Sequence, residues 1–97
     1  MSWNLTTPLT AEGYLMLAHP AVNFENFPSL AAQLVTQLQL RICEQYWGAD
    51  RHSWVLEYCG VNLLLEFEEL SACTWLTVAR EADQVMLREL AARLDQK

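Results

Sequence analysis

Apolar residues recur along this chain with two different periods, and the change of period divides it into elements. Between positions 27 and 38, Phe27, Leu30, Ala31, Leu34, Val35 and Leu38 fall on one face at helical spacing. Asn26 or Ser29 can cap that helix, and Pro28 is tolerated in a first turn. The opposite face, Ala32, Gln33, Thr36, Gln37 and Gln39, is polar but carries no charge, which is unusual for a solvated helix face. A second helical stripe spans 80–95. There Ala82, Met86, Leu90 and Leu94 align, widened by Leu87 and Ala91, with Arg80, Glu81, Gln84, Arg88 and Asp95 opposite. Glu81 and Asp83 would sit in its first turn, which suits the helix dipole, and Glu89 and Arg93 make an i,i+4 pair.

Between the helices the period shortens to two. Segments 53–58 and 61–68 are rich in β-branched and aromatic residues, and Cys59-Gly60 separates them. A two-residue turn there pairs Tyr58 with Val61, Leu56 with Leu63 and Trp54 with Leu65. Those six side chains and Phe67 share one face and form a buried set. Ser53, Val55, Glu57, Asn62, Leu64 and Glu66 take the other. A slip of one residue would exchange core and surface, so the register is specified. Segment 73–78 reads as a further strand, with Trp75 and Leu76 on opposite faces. Segment 13–18 reads as a strand ended by His19-Pro20, since proline lacks the ladder donor. Segment 40–47 alternates as a strand does, and Trp47 to Arg51 then forms a hairpin loop; the alternative is a first helix that continues to Glu44. The order is β-α-β-β-β-β-α. It implies one α+β domain over 1–97, a two-layer sandwich with an antiparallel sheet of three to five strands and both helices on one face. Segment 1–11 is either flexible or folded over the sheet.

Composition narrows the function classes. The chain has 97 residues, 12 acidic against 6 basic, and a formal charge of −6. A hydrophobic fraction of 53% is too high for a disordered acidic tail. The negative balance disfavours nucleic acid, which needs clustered Lys and Arg. No apolar run is long enough for a transmembrane helix, and the first ten residues lack the pattern of a signal peptide, so no membrane contact and a cytoplasmic location are expected. Cys43, Cys59 and Cys73 are odd in number and match no zinc spacing, so they read as reduced thiols. No cofactor motif and no metal motif is present. The charge is also uneven. Residues 1–40 carry Glu12 and Glu25 and no base; 41–79 carry six acids against Arg41 and Arg51; 80–97 balance four against four. A domain this small has limited interior for so many apolar side chains, which leans towards a second chain covering some of them.

Three groups of residues are candidates for function. Asp50, Arg51 and His52 could hold a small anion or do acid–base chemistry, or could simply form a turn. Glu57, Glu66, Glu68 and Glu69 could hold a divalent cation, but they lack calcium-loop spacing and read as a solvated face. Val55, Leu64 and Trp75 make an apolar centre rimmed by Glu57 and Glu66, which suits a partner contact unless Trp3 and Leu5 fold over it. Gln33 and Gln37 on the uncharged helix face are a second candidate contact.

The order helix, three strands, helix resembles that of double-stranded RNA-binding domains, but their basic final helix start is absent from Arg80-Glu81-Ala82-Asp83. Size, acidity and the Tyr58-Cys59-Gly60-Val61 hairpin are similar to acidic type III secretion chaperones, a resemblance that implies dimerisation and the holding of a partner segment. The stretch Gly48-Ala49-Asp50-Arg51-His52-Ser53-Trp54, with Gly60, Phe67-Glu68 and Trp75-Leu76, resembles a small bacterial family of uncharacterised proteins of about this length. That resemblance implies no activity. The expectation is a non-enzymatic, homodimeric interaction module without cofactor. The competing class is a ligand-binding protein or enzyme centred on Asp50, Arg51 and His52.

Overall fold

The computed structural model describes residues 3–5 and 13–95, the last without its side chain. Strand β1 (Asn4–Leu5) and strand β2 (Leu15–Ala18) precede helix α1 (Phe27–Leu38). Four strands follow: β3 (Arg41–Trp47), β4 (Arg51–Tyr58), β5 (Val61–Glu68) and β6 (Cys73–Val78). A 3-10 turn at Glu81–Asp83 leads into helix α2 (Gln84–Asp95). The strands form one antiparallel sheet in the order β1-β2-β6-β5-β4-β3. The α+β class is as expected, but the sheet has six strands rather than three to five. The added strand is β1, whose two residues pair with Ala18 and Leu17. So short a strand has no period of its own; its pairing is supplied by β2.

Both helices pack on one face of the sheet. A single cluster of buried residues joins Phe27, Leu34 and Leu38 of α1 and Leu87, Leu90 and Leu94 of α2 to alternate residues of β2, β4, β5 and β6. Trp3 belongs to this cluster. Its indole Nε1 donates to Leu30 O at 2.8 Å, and Leu5 packs against the same core. The described part of the N-terminal segment therefore lies on the helix side and does not cover the outer face.

The central hairpin has the register that alternation implies. Tyr58 faces Val61, Leu56 faces Leu63 and Trp54 faces Leu65. Cys59 and Gly60 take φ of 51° and 83°, the left-handed pair of a type I′ turn. Trp54, Leu56, Leu63, Leu65 and Phe67 are buried, while Tyr58 and Val61 are partly so. Segment 41–47 is strand, because α1 stops at a left-handed residue. Gln39 has φ 59° and ψ 43°, and Leu40 N bonds Val35 O at 2.9 Å.

Three local expectations change. Asn26 occupies the N-cap position of α1, but its side chain turns back instead of capping. Its Oδ1 accepts from Asn23 N at 2.7 Å and its Nδ2 donates to Ala21 O at 2.7 Å. Helix α2 begins at Gln84, so Glu81 and Asp83 lie in the preceding 3-10 turn, where Asp83 pairs with Arg80 at 3.5 Å. Ala82 is exposed and drops out of the apolar stripe. Glu89 and Arg93 meet through a third group: Tyr58 Oη donates to Glu89 Oε1 and accepts from Arg93 Nη1, each at 3.0 Å.

Candidate interaction site

Among the described residues, strand β3 forms one edge of the sheet, paired on one side only, with β4. All seven of its residues are exposed, and no β3 residue enters the buried core. Alternation places Arg41, Glu44 and Tyr46 opposite Glu57, Val55 and Ser53 on the outer face. Ile42, Gln45 and Trp47 lie opposite Leu56, Trp54 and His52 on the helix side. A bulge at Cys43 reconciles the two registers. Trp47 is therefore directed to the core side but remains 73% exposed, because the helix layer ends before it reaches β3.

The missing cover leaves a cleft of about 420 Å³ between β3 and the start of α1. Trp47 and Gln45 of β3, His52 and Trp54 of β4, and Phe24, Glu25 and Pro28 at the helix entry line it. The helix entry is fixed by hydrogen bonds. Phe27 N donates to Asn23 O at 2.9 Å and Phe24 N to Glu69 Oε1 at 3.2 Å.

His52 is the buried polar group of the cleft, 5% exposed. Its ring stacks on Phe27 at 4.9 Å between centroids and tilts against Phe24 at 4.4 Å. Its Nε2 lies 2.9 Å from Phe24 O. A carbonyl oxygen only accepts, so Nε2 carries a proton. Nδ1 is buried and has no partner among the described residues. An unsatisfied buried polar atom costs about 1–3 kcal/mol.

Consecutive strand residues point to opposite faces, which separates the Asp50, Arg51 and His52 cluster. Arg51 lies on the outer face, 2.5 Å from Glu68 Oε2 and 3.7 Å from Glu66 Oε1, with its guanidinium 6.0 Å from the Trp75 ring centre. His52 lies on the helix side. Asp50 stays in the turn, where its carbonyl accepts from Glu69 N at 2.9 Å. The acids on the outer face are likewise engaged. Arg41 donates to Glu57 and holds that carboxyl below its usual range. Among the described residues, no three His, Cys, Asp or Glu side chains are placed to hold a metal.

Val55, Leu64 and Trp75 share the outer face, all three only partly exposed, and Leu64 is paired with Thr77 rather than Trp75. Val55 faces Leu64 across one pairing step, and Glu66 faces Trp75 across the next. Gln33 and Gln37 are exposed and line a shallow depression on α1 with Ala32 and Thr36.

A family model described as a protein of unknown function, DUF3630, matches residues 3–96. The chain belongs to the DUF3630 family. No curated protein and no solved structure matches it. The DUF3630 match covers every described element, well beyond the middle third on which the sequence resemblance rested.

In this DUF3630 chain, sequence reasoning singled out His52 but passed over Trp47, Phe24 and Pro28. Trp47 read as the first residue of the hairpin loop Trp47 to Arg51. The sequence carried no signal for that face: Ile42 and Trp47 differ in parity, and only the bulge at Cys43 brings Ile42, Gln45 and Trp47 to one side. No helix among the described residues is long and apolar enough to cross a membrane.

Proposed function

We propose that this DUF3630 chain is a non-enzymatic protein-interaction module that takes an extended segment of a partner along β3. The observation that carries this reading is an edge of seven exposed residues, unpaired among the described residues and including Tyr46 and Trp47, beside an open cleft. An uncovered edge offers a row of backbone donors and acceptors to an added strand, and pockets beside it select side chains. The three free cysteines support a reducing compartment such as the cytoplasm.

The test is selection of displayed random heptapeptides on the full chain, followed by amide hydrogen exchange with the enriched peptide. The expected result is slowed exchange along β3. Proline at Gln45 and, separately, at Tyr46 removes one outward and one inward N–H, so one of the two variants keeps the fold and loses the peptide. Enrichment of no peptide, or protection elsewhere, overturns the reading. A dimer that the same proline splits puts a second copy on β3 instead of a foreign segment.

A second reading rests on the one-sided helix layer. Among the described residues it leaves Val55, Leu64 and Trp75 without a covering element on the outer face, rimmed by Glu57 and Glu66. Under it the chain is a homodimer through that face, with Gln33 and Gln37 as a further contact. Sedimentation equilibrium of Leu64→Gln with Trp75→Gln then shows a halved mass. An unchanged mass with an intact fold removes this reading.

A further inference from the structure

The chemistry of the β3 cleft selects one kind of partner side chain; the inference rests on the strand-addition reading above. The lining is aromatic, from Trp47, Phe24 and, at its floor, the buried Trp54. Among the described residues, Glu25 is the acidic side chain of the lining, and no Lys or Arg lines the cleft. Residues 1–40 contain no Lys or Arg. The two bases flanking the cleft in sequence, Arg41 and Arg51, face the outer side of the sheet, held by Glu57 and by Glu66 and Glu68. His52 also lines the cleft but is buried, and its Nδ1 is closed to solvent, so it offers no ligand contact there.

Such a lining disfavours an acidic side chain. A purely apolar one would leave the Glu25 carboxylate without a counter-charge. A guanidinium suits both the aromatic lining and the carboxylate: it is planar and stacks on aromatic faces, it carries five donors, and it sheds water more readily than an ammonium. The chain's charge of −6 favours the approach of a basic segment. We propose that the cleft binds the guanidinium of an arginine in the partner's segment, stacked on Trp47 with Glu25 as its counter-charge.

The test uses the full chain and N-acetyl-arginine amide, with the neutral citrulline compound as control. The readout is the indole N–H signals of Trp47 and Trp54 in a 15N spectrum. The arginine compound is expected to move both, and the citrulline compound neither. Trp47→Ala and Glu25→Gln change exposed residues, so the fold is kept, and each is expected to weaken the arginine compound about tenfold. No indole shift, or equal shifts from arginine and citrulline, overturns the assignment whatever the peptides do along β3. Indole shifts specific to arginine, with no displayed peptide protecting β3, leave the arginine site standing and remove strand addition.

Discussion

Arg93 Nη1 donates to Leu38 O at 3.2 Å, so the last turn of α2 closes the C-terminal end of α1. The same guanidinium binds Gln39 Oε1 and Tyr58 Oη, and lies 5.5 Å from the Tyr58 ring centre. A cation at a helix C-terminus is favourable, and the fork of Arg reaches three acceptors at once. Arg93→Ala is expected to cost about 2 kcal/mol in urea unfolding, the range for hydrogen bonds to a charged group. Arg93→Lys is expected to recover less than half of that, because a point charge cannot span Leu38, Gln39 and Tyr58 together.

The β4–β5 turn makes an opposite pair of predictions. Both of its central residues have positive φ, and Cys59 is not suited to that region. Cys59→Asn creates the Asn-Gly pair that type I′ turns favour and is expected to stabilise by about 0.5–1 kcal/mol. Gly60→Val, at φ 83°, is expected to destabilise by at least about 1 kcal/mol. Denaturation midpoints of the two variants check both signs.

Acidification should loosen the start of the sheet. His19 is buried, edge-on to Trp3 at 5.4 Å, and its Nδ1 accepts from Ala21 N at 3.1 Å. Burial holds its pKa below the ordinary value of 6.5. The unfolded chain then takes up the proton first, so the unfolded state binds more protons in that window. The contribution is complete above pH 6.5 and is lost as pH falls through the lower folded value. His19→Asn is expected to flatten the melting temperature against pH between about pH 8 and 5. An equal slope in both proteins would place the effect elsewhere.

The indole of Trp3 ties the described N-terminal residues to α1. Trp3→Phe keeps the ring and removes the donor to Leu30 O, and is expected to cost about 1 kcal/mol. Hydrogen exchange should quicken in β1 and at the pairing of Leu5 with Leu17, and change little at the central hairpin.

The central hairpin was legible because two signals agreed there. A face of apolar residues at every second position from Trp54 to Phe67, although Val55 and Leu64 are apolar on the other face, and a turn pair at Cys59-Gly60 admit one register. The start of α2 was not legible. Glu81, Ala82 and Asp83 have the composition of a helix, and nothing in their identity separates a 3-10 turn from an α turn. The β3 cleft was not legible for a different reason. Residue pattern says which side chains share a face, but not which strand ends the sheet. The exposure of Trp47 follows from the strand order, and the core role of Trp3 follows from the position of α1.

The strand order also sets a schedule. Strands β3, β4, β5 and β6 are sequential neighbours and can pair as each is made. Leu15 and Leu17 of β2 pair with Leu76 and Thr74, about sixty residues later. At the usual pace of synthesis, about 5–20 residues per second, β2 and α1 wait for seconds before their sheet neighbour exists. During that interval the apolar faces of both lack the sheet neighbour that later covers them.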